Sequence, residues 1–130
     1  MIIHLTLLLF IGLAFWFCEE DIKYEEQIIT VYDNGKRKNV VISKIVNGKK
    51  KMYKKRKYYE NGQIQLETEV NDYGRENGSF VQYDESGTIT VSGFYTIVGG
   101  ESVKNGNWTW WKETGQVDYV EKYLNGVKQN

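Results

Sequence analysis

The chain has 130 residues, enough for one domain, and its formal net charge is zero, which removes the uniform basic surface of a nucleic-acid coat. Aromatics make up 15%, glycine occurs 13 times and proline is absent, a mix that favours strands and tight turns over helices. One cysteine, Cys18, leaves no intramolecular disulfide, and the one histidine, His4, lies in an apolar leader, so no Ser-His or Cys-His triad and no common zinc site can be assembled.

From Ile2 to Phe17 the chain is apolar apart from His4, Thr6 and Gly12. As a helix this run spans ~24 Å, short of the ~30 Å hydrocarbon core, which suits a signal-peptide core better than a membrane span. Glu19, Glu20 and Asp21 follow Cys18 at once. A cysteine at the end of such a leader suggests a bacterial lipoprotein with Cys18 as the lipidated residue. Phe15, Trp16 and Phe17 stand where small residues are usual, and no basic residue precedes the run. An uncleaved or otherwise processed anchor and a buried N-terminal strand or helix stay open beside lipidation. Residues 1–18 are read as signal peptide or membrane anchor, and residues 19–130 as the folded domain, exported and held at the cell envelope.

Charge along the domain is segregated. Glu19 to Gly35 holds six acids and one base, Lys36 to Lys57 eleven bases and no acid, and Tyr58 to Asn130 eleven acids and five bases. Within the basic block, Lys49, Lys50, Lys51, Lys54, Lys55, Arg56 and Lys57 surround Met52 and Tyr53. Such a block fits anionic lipid head groups, a polyanionic envelope polymer or nucleic acid. It also fits a solvated edge strand, where lysine discourages aggregation, or a strand facing acids such as Glu67 and Glu69. An exported chain with an acidic remainder is not expected to bind nucleic acid. Within the ligand-binding reading of the block, anionic lipid leads if the leader is an anchor, since the block follows the leader closely.

Beyond the block the chain repeats itself. Gly62, Gly87 and Gly115 are each preceded at four residues by an aromatic (Tyr58, Tyr83, Trp111) and followed at two by an aliphatic (Ile64, Ile89, Val117). Asn77-Gly78-Ser79-Phe80 matches Asn105-Gly106-Asn107-Trp108. Each module predicts strand, glycine turn, strand, with glycine in the left-handed conformation. Tyr32-Asp33-Asn34-Gly35 begins an earlier, degenerate copy over residues 27–50, where Arg37 and Asn39 occupy aliphatic positions and the strand is expected from Val40 to Val46. The better-matched repeats run over 53–130. Thr96 to Lys104 reads as a longer loop with Gly99-Gly100 at its tip. Strand alternation puts Trp108 and Trp110 on one face and Trp111 on the other. These three tryptophans are the aromatic recognition candidates, Trp110 first among them, against the alternative that they fill the sheet's core.

These modules resemble the bacterial YwqK-type proteins, a variant of the MORN repeat, over about Tyr53 to Asn130. The elements that carry the resemblance are Tyr58 to Ile64, Asn77 to Gly87 and Asn105 to Gly115. The resemblance implies an elongated sheet of consecutive β-hairpins and a binding or scaffolding role. Some members bear an antitoxin label.

The expected fold is all-β, an antiparallel meander of about six to eight strands in stacked hairpins. The expected function is a non-catalytic envelope binding or scaffold module, acting on a protein partner or a membrane surface. The alternative is an antitoxin or immunity-type inhibitor of one partner protein. No metal, cofactor or catalytic residue is expected, because the carboxylates lie mostly in turns and no phosphate loop occurs.

Overall fold

A computed structural model describes residues 20–130, so the leader, with His4 and Cys18, lies outside the described residues. Nine antiparallel strands follow one another in a single meander: β1 (Ile22–Val31), β2 (Arg37–Val46), β3 (Lys49–Tyr58), β4 (Ile64–Val70), β5 (Glu76–Tyr83), β6 (Ile89–Val98), β7 (Glu101–Trp111), β8 (Val117–Leu124) and β9 (Val127–Lys128). Spatial order equals chain order, so every strand pairs only with its sequence neighbours. The strand count exceeds the expected six to eight because Asn125-Gly126 turns the chain into a short β9, and β1 is longer than the pattern implied, starting at Ile22.

Turn geometry differs between the two ends of the sheet except at β4–β5, whose Asn71–Arg75 turn lies at the end where β1 begins yet has the glycine-bulge geometry of the other end. At one end four turns share one geometry, starting at Tyr32, Tyr59, Asp84 and Lys112. In the first of them the Tyr32 N–H donates to the Lys36 carbonyl and the Gly35 N–H to the Tyr32 carbonyl, both at 2.8 Å. This is a type I turn closed by a glycine bulge. Gly35, Gly62, Gly87 and Gly115 all have φ between +80° and +90°, which is why glycine stands there. The decayed first copy therefore keeps the turn of the others. At the opposite end, where β1 begins, three turns have only two residues: Asn47-Gly48, Gly99-Gly100 and Asn125-Gly126. All six residues have positive φ, the signature of a type I′ hairpin.

The stretch Thr96 to Lys104 is accordingly no loop. Tyr95 pairs with Lys104, Thr96 with Val103, Ile97 with Ser102 and Val98 with Glu101, up to the Gly-Gly turn. β2 likewise starts at Arg37, three residues before the expected Val40.

The register fixes which side chains share a face. Val40, Arg56, Glu67 and Val81 form one row across four strands, and Val41, Lys55, Thr68, Phe80 and Gly93 form the adjacent row on the other face. The hydrophobic core is split between those faces. Val40, Ile42 and Tyr58 are buried on the first, with Tyr53 and Ile64 against them. On the second, Trp108 is buried against Phe80 and Tyr95, with ring centroids 5.2 and 4.9 Å away. The sheet is one layer thick, so aromatic cross-strand pairs supply burial that a second layer would otherwise provide.

Candidate functional site

The basic strand β3 divides into an inner and an outer part. Lys54 and Arg56 point to the face that carries Glu67, as the register Arg56↔Glu67 and Lys54↔Glu69 requires. Lys54 Nζ lies 2.8 Å from Glu67 Oε1, and Arg56 Nε donates to the other oxygen of the same carboxylate. Arg56 also reaches Glu26 of β1 at 3.5 Å. Burial pushes the Glu67 carboxyl up, but hydrogen bonds from Lys54 and Arg56 outweigh it and hold the group below the usual carboxylate range. The same hydrogen bond raises Lys54. These inner cations are consumed within the sheet. On the opposite face Lys55 Nζ donates to the Gly74 carbonyl at 2.5 Å, while Lys57 has no ion pair among the described residues.

The outer part is different. Lys50 pairs with Glu25 at 2.6 Å, but Lys49 has no acidic partner among the described residues and Lys51 reaches only Asp72, at 3.7 Å. Lys44 of β2 stands directly opposite Lys51, and Val46 opposite Lys49. Like charges directly across a sheet repel. On this face β1 contributes Ile22 and Tyr24 beside Val46 and Lys44, so no acid intervenes. Lys44, Lys49 and Lys51 line a hollow of about 500 Å³ together with Val46 and Tyr53, while Met52, paired with Ser43, turns its side chain to the other face toward Gly74. Cations beside an apolar lining suit an amphipathic anion.

The three candidate tryptophans lie in different settings. Trp108 is 2% exposed, seated on Gly93, with its Nε1–H donated to the Phe94 carbonyl at 3.0 Å. It fills the sheet's face. Trp110 is half-buried and stacks on Tyr119 at 4.7 Å with planes 9° apart. Trp111 points to the other face, where its Nε1–H meets Ser92 Oγ at 3.1 Å. Lys104 Nζ, which the repeat pattern did not single out, sits over the rings of Trp108, Trp110 and Tyr123 at 4.6, 5.2 and 5.0 Å. The aromatic cluster thus holds a cation of its own.

Edge strand β1 is exposed at all ten positions, including Ile22, Tyr24, Ile28, Ile29 and Val31. Among the described residues no group of three or more His, Cys, Asp or Glu side chains is placed to hold a metal ion. No protein-family model, curated protein or solved structure matches the chain.

Proposed function

We propose that this chain is a non-catalytic binding or scaffold module of the bacterial envelope, tethered through its apolar leader. One observation carries the reading: the sheet is a single layer whose ten-residue β1 edge is exposed along its length and lined with apolar side chains. Such an edge offers unpaired backbone groups and apolar surface to a partner strand. Exposed Val117, Tyr119, Val120 and Leu124 on β8 extend apolar surface to the other side of the sheet. The repeat is of the MORN type in this reading, supported by four equivalent glycine turns at spacings set by Gly35, Gly62, Gly87 and Gly115. Localisation rests on the apolar run Ile2 to Phe17 and on Cys18 behind it.

Crosslinking in intact cells, followed by mass spectrometry of the purified protein, tests this function. Several envelope proteins or lipids bound to the chain are the expected result. A single stoichiometric partner would instead favour a dedicated inhibitor. Recovery of the chain wholly in the soluble cytoplasmic fraction would overturn the envelope assignment.

A further inference from the structure

Building on the envelope reading, we infer that the β2–β3 corner of the sheet is a docking surface for an anionic bilayer, with Lys44, Lys49 and Lys51 on lipid phosphates and Tyr73 at the head-group level. Four observations place the membrane there.

The first is where the chain leaves the structure. Ile22 pairs with Val46, and the Asn47 N–H donates to the Asp21 carbonyl at 3.1 Å. The described chain therefore begins beside the Asn47-Gly48 turn, so a leader held in a bilayer would bring this corner to the surface. The second is charge. Lys44 opposes Lys51, Lys49 has no acidic partner among the described residues, and the adjoining β1 side chains on that face are Ile22 and Tyr24. On the same face Lys54 and Arg56 are neutralised by Glu67 and Glu26, so the unpaired β3 cations of that face among the described residues sit at the leader end, where only Lys51 reaches an acid, Asp72 at 3.7 Å. Each lysine close to an anionic leaflet adds to the attraction, which fades within a Debye length.

The third observation is the contrast between the two ends. The four far turns read Asp33-Asn34-Gly35, Glu60-Asn61-Gly62, Glu85-Ser86-Gly87 and Glu113-Thr114-Gly115, with no apolar side chain, and the tyrosines that open two of them, Tyr32 and Tyr59, have their hydroxyls bonded to the Tyr58 and Tyr83 carbonyls. At the leader end Tyr73 is 88% exposed at the tip of the β4–β5 turn, and Val98 is exposed beside the β6–β7 turn. Tyrosine on a turn tip is the amphipathic anchor a bilayer interface takes up. Arg75 adds a cation next to Gly100. The fourth is the hollow itself, whose apolar lining of Val46 and Tyr53 receives the glycerol and first methylenes below a phosphate held by the lysines. The β8–β9 turn is set back from this surface, because the Gly126 N–H bonds to the Lys104 carbonyl, well inside the β6–β7 tip.

The test uses the full chain reconstituted with vesicles of phosphatidylcholine alone or mixed with phosphatidylglycerol. A photo-reactive benzoyl-phenylalanine replaces Tyr73 in one preparation and Thr114, at the far end, in another. Flotation reports the tether, and crosslinking to lipid reports which end meets the membrane. The expected result is lipid adducts at position 73 on anionic vesicles, several-fold more than on neutral ones, and few at position 114. Adducts at 73 should fall in high salt and in the Lys49→Glu/Lys51→Glu variant while flotation persists. Equal adducts at both positions, or equal yields on both vesicle types, overturn the docking surface alone. A chain that floats with neither vesicle overturns the envelope reading as well.

Discussion

Trp108 lies on Gly93 so closely that any Cβ at residue 93 would overlap the indole ring. Gly93 is itself buried and pairs with Phe80, whose ring flanks Trp108 at 5.2 Å. The missing side chain opens a slot in the sheet's face, and the indole fills it. Here glycine is required for space and not for its backbone angle, unlike the turn glycines.

Gly93→Ala should destabilise the protein by about 1–3 kcal/mol, the range of overpacking in a closed core. Trp108→Ala should cost about 3–5 kcal/mol. The two residues occupy one volume, so the double variant should be less destabilised than the sum of the singles. Urea unfolding followed by far-UV circular dichroism reads all four proteins. Strict additivity would refute the slot.

Glu67 ties β3 to its neighbours and sets an acid limit on stability. Its carboxylate accepts from both Lys54 and Arg56, and its side chain is only 22% exposed. Glu67→Gln leaves Lys54 without a carboxylate partner and Arg56 with only Glu26 at 3.5 Å, and should cost about 1–3 kcal/mol at neutral pH. The folded-state pKa is depressed. Its contribution is therefore complete above the unfolded value of about 4.3 and is lost as pH falls through the lower folded value. Lys54, raised in the folded state, contributes fully below its unfolded value of about 10.4 and loses that only above it. Thermal melts from pH 7 to 3 should show a shallower acid decline in Glu67→Gln than in the parent. Parallel curves would remove Glu67 from the acid limit.

The regular modules were legible because their glycine turns recur in register and strand alternation sorts Trp108 and Trp110 from Trp111. The first module was obscured by Arg37 and Asn39 in aliphatic positions. In the structure the Arg37 guanidinium lies over the Tyr58 ring at 4.4 Å, and Asn39 Nδ2 bonds Thr30 Oγ1 at 2.7 Å. A cation–π contact and a cross-strand hydrogen bond replace aliphatic contacts, which no hydrophobicity pattern reports. The division of the basic run was equally hidden. It depends on which acid lies across each lysine, and a register irregularity between Ile42 and Ser43 sets that, leaving Tyr53 without a partner opposite it.

Successive far-end turns are bonded to one another. Tyr32 Oη donates to the Tyr58 carbonyl at 2.7 Å and Tyr59 Oη to the Tyr83 carbonyl at 2.8 Å, one module along in each case. Asn61 Nδ2 adds a bond to the Glu85 carbonyl at 3.0 Å. At Asp84 the ladder ends, since that carboxylate turns inward on its own loop, where the Ser86 hydroxyl and the Thr88 N–H lower its pKa. Tyr59→Phe should therefore cost about 1 kcal/mol, the net worth of one hydrogen bond. Amide exchange should quicken around Gly62 and Gly87, while the same change at exposed Tyr73 leaves stability unaltered. Equal effects at the two tyrosines would argue against an inter-turn bond.

Gly99-Gly100 offers a direct test that Thr96 to Lys104 is hairpin. Both residues have positive φ, +58° and +81°. A Cβ at Gly99 meets nothing within 4 Å, whereas one at Gly100 comes 3.1 Å from the Arg75 guanidinium. Asn-Gly is the preferred pair in a type I′ turn, because asparagine tolerates the left-handed conformation and restricts the unfolded chain more than glycine. Gly99→Asn should thus stabilise the protein by about 0.4–1 kcal/mol. Gly100→Val places a β-branched side chain at positive φ and should destabilise it by about 1–3 kcal/mol. In an unpaired loop both changes would be near neutral, so thermal melting of the two variants separates the alternatives: opposite shifts require the paired hairpin, and two unchanged midpoints exclude it.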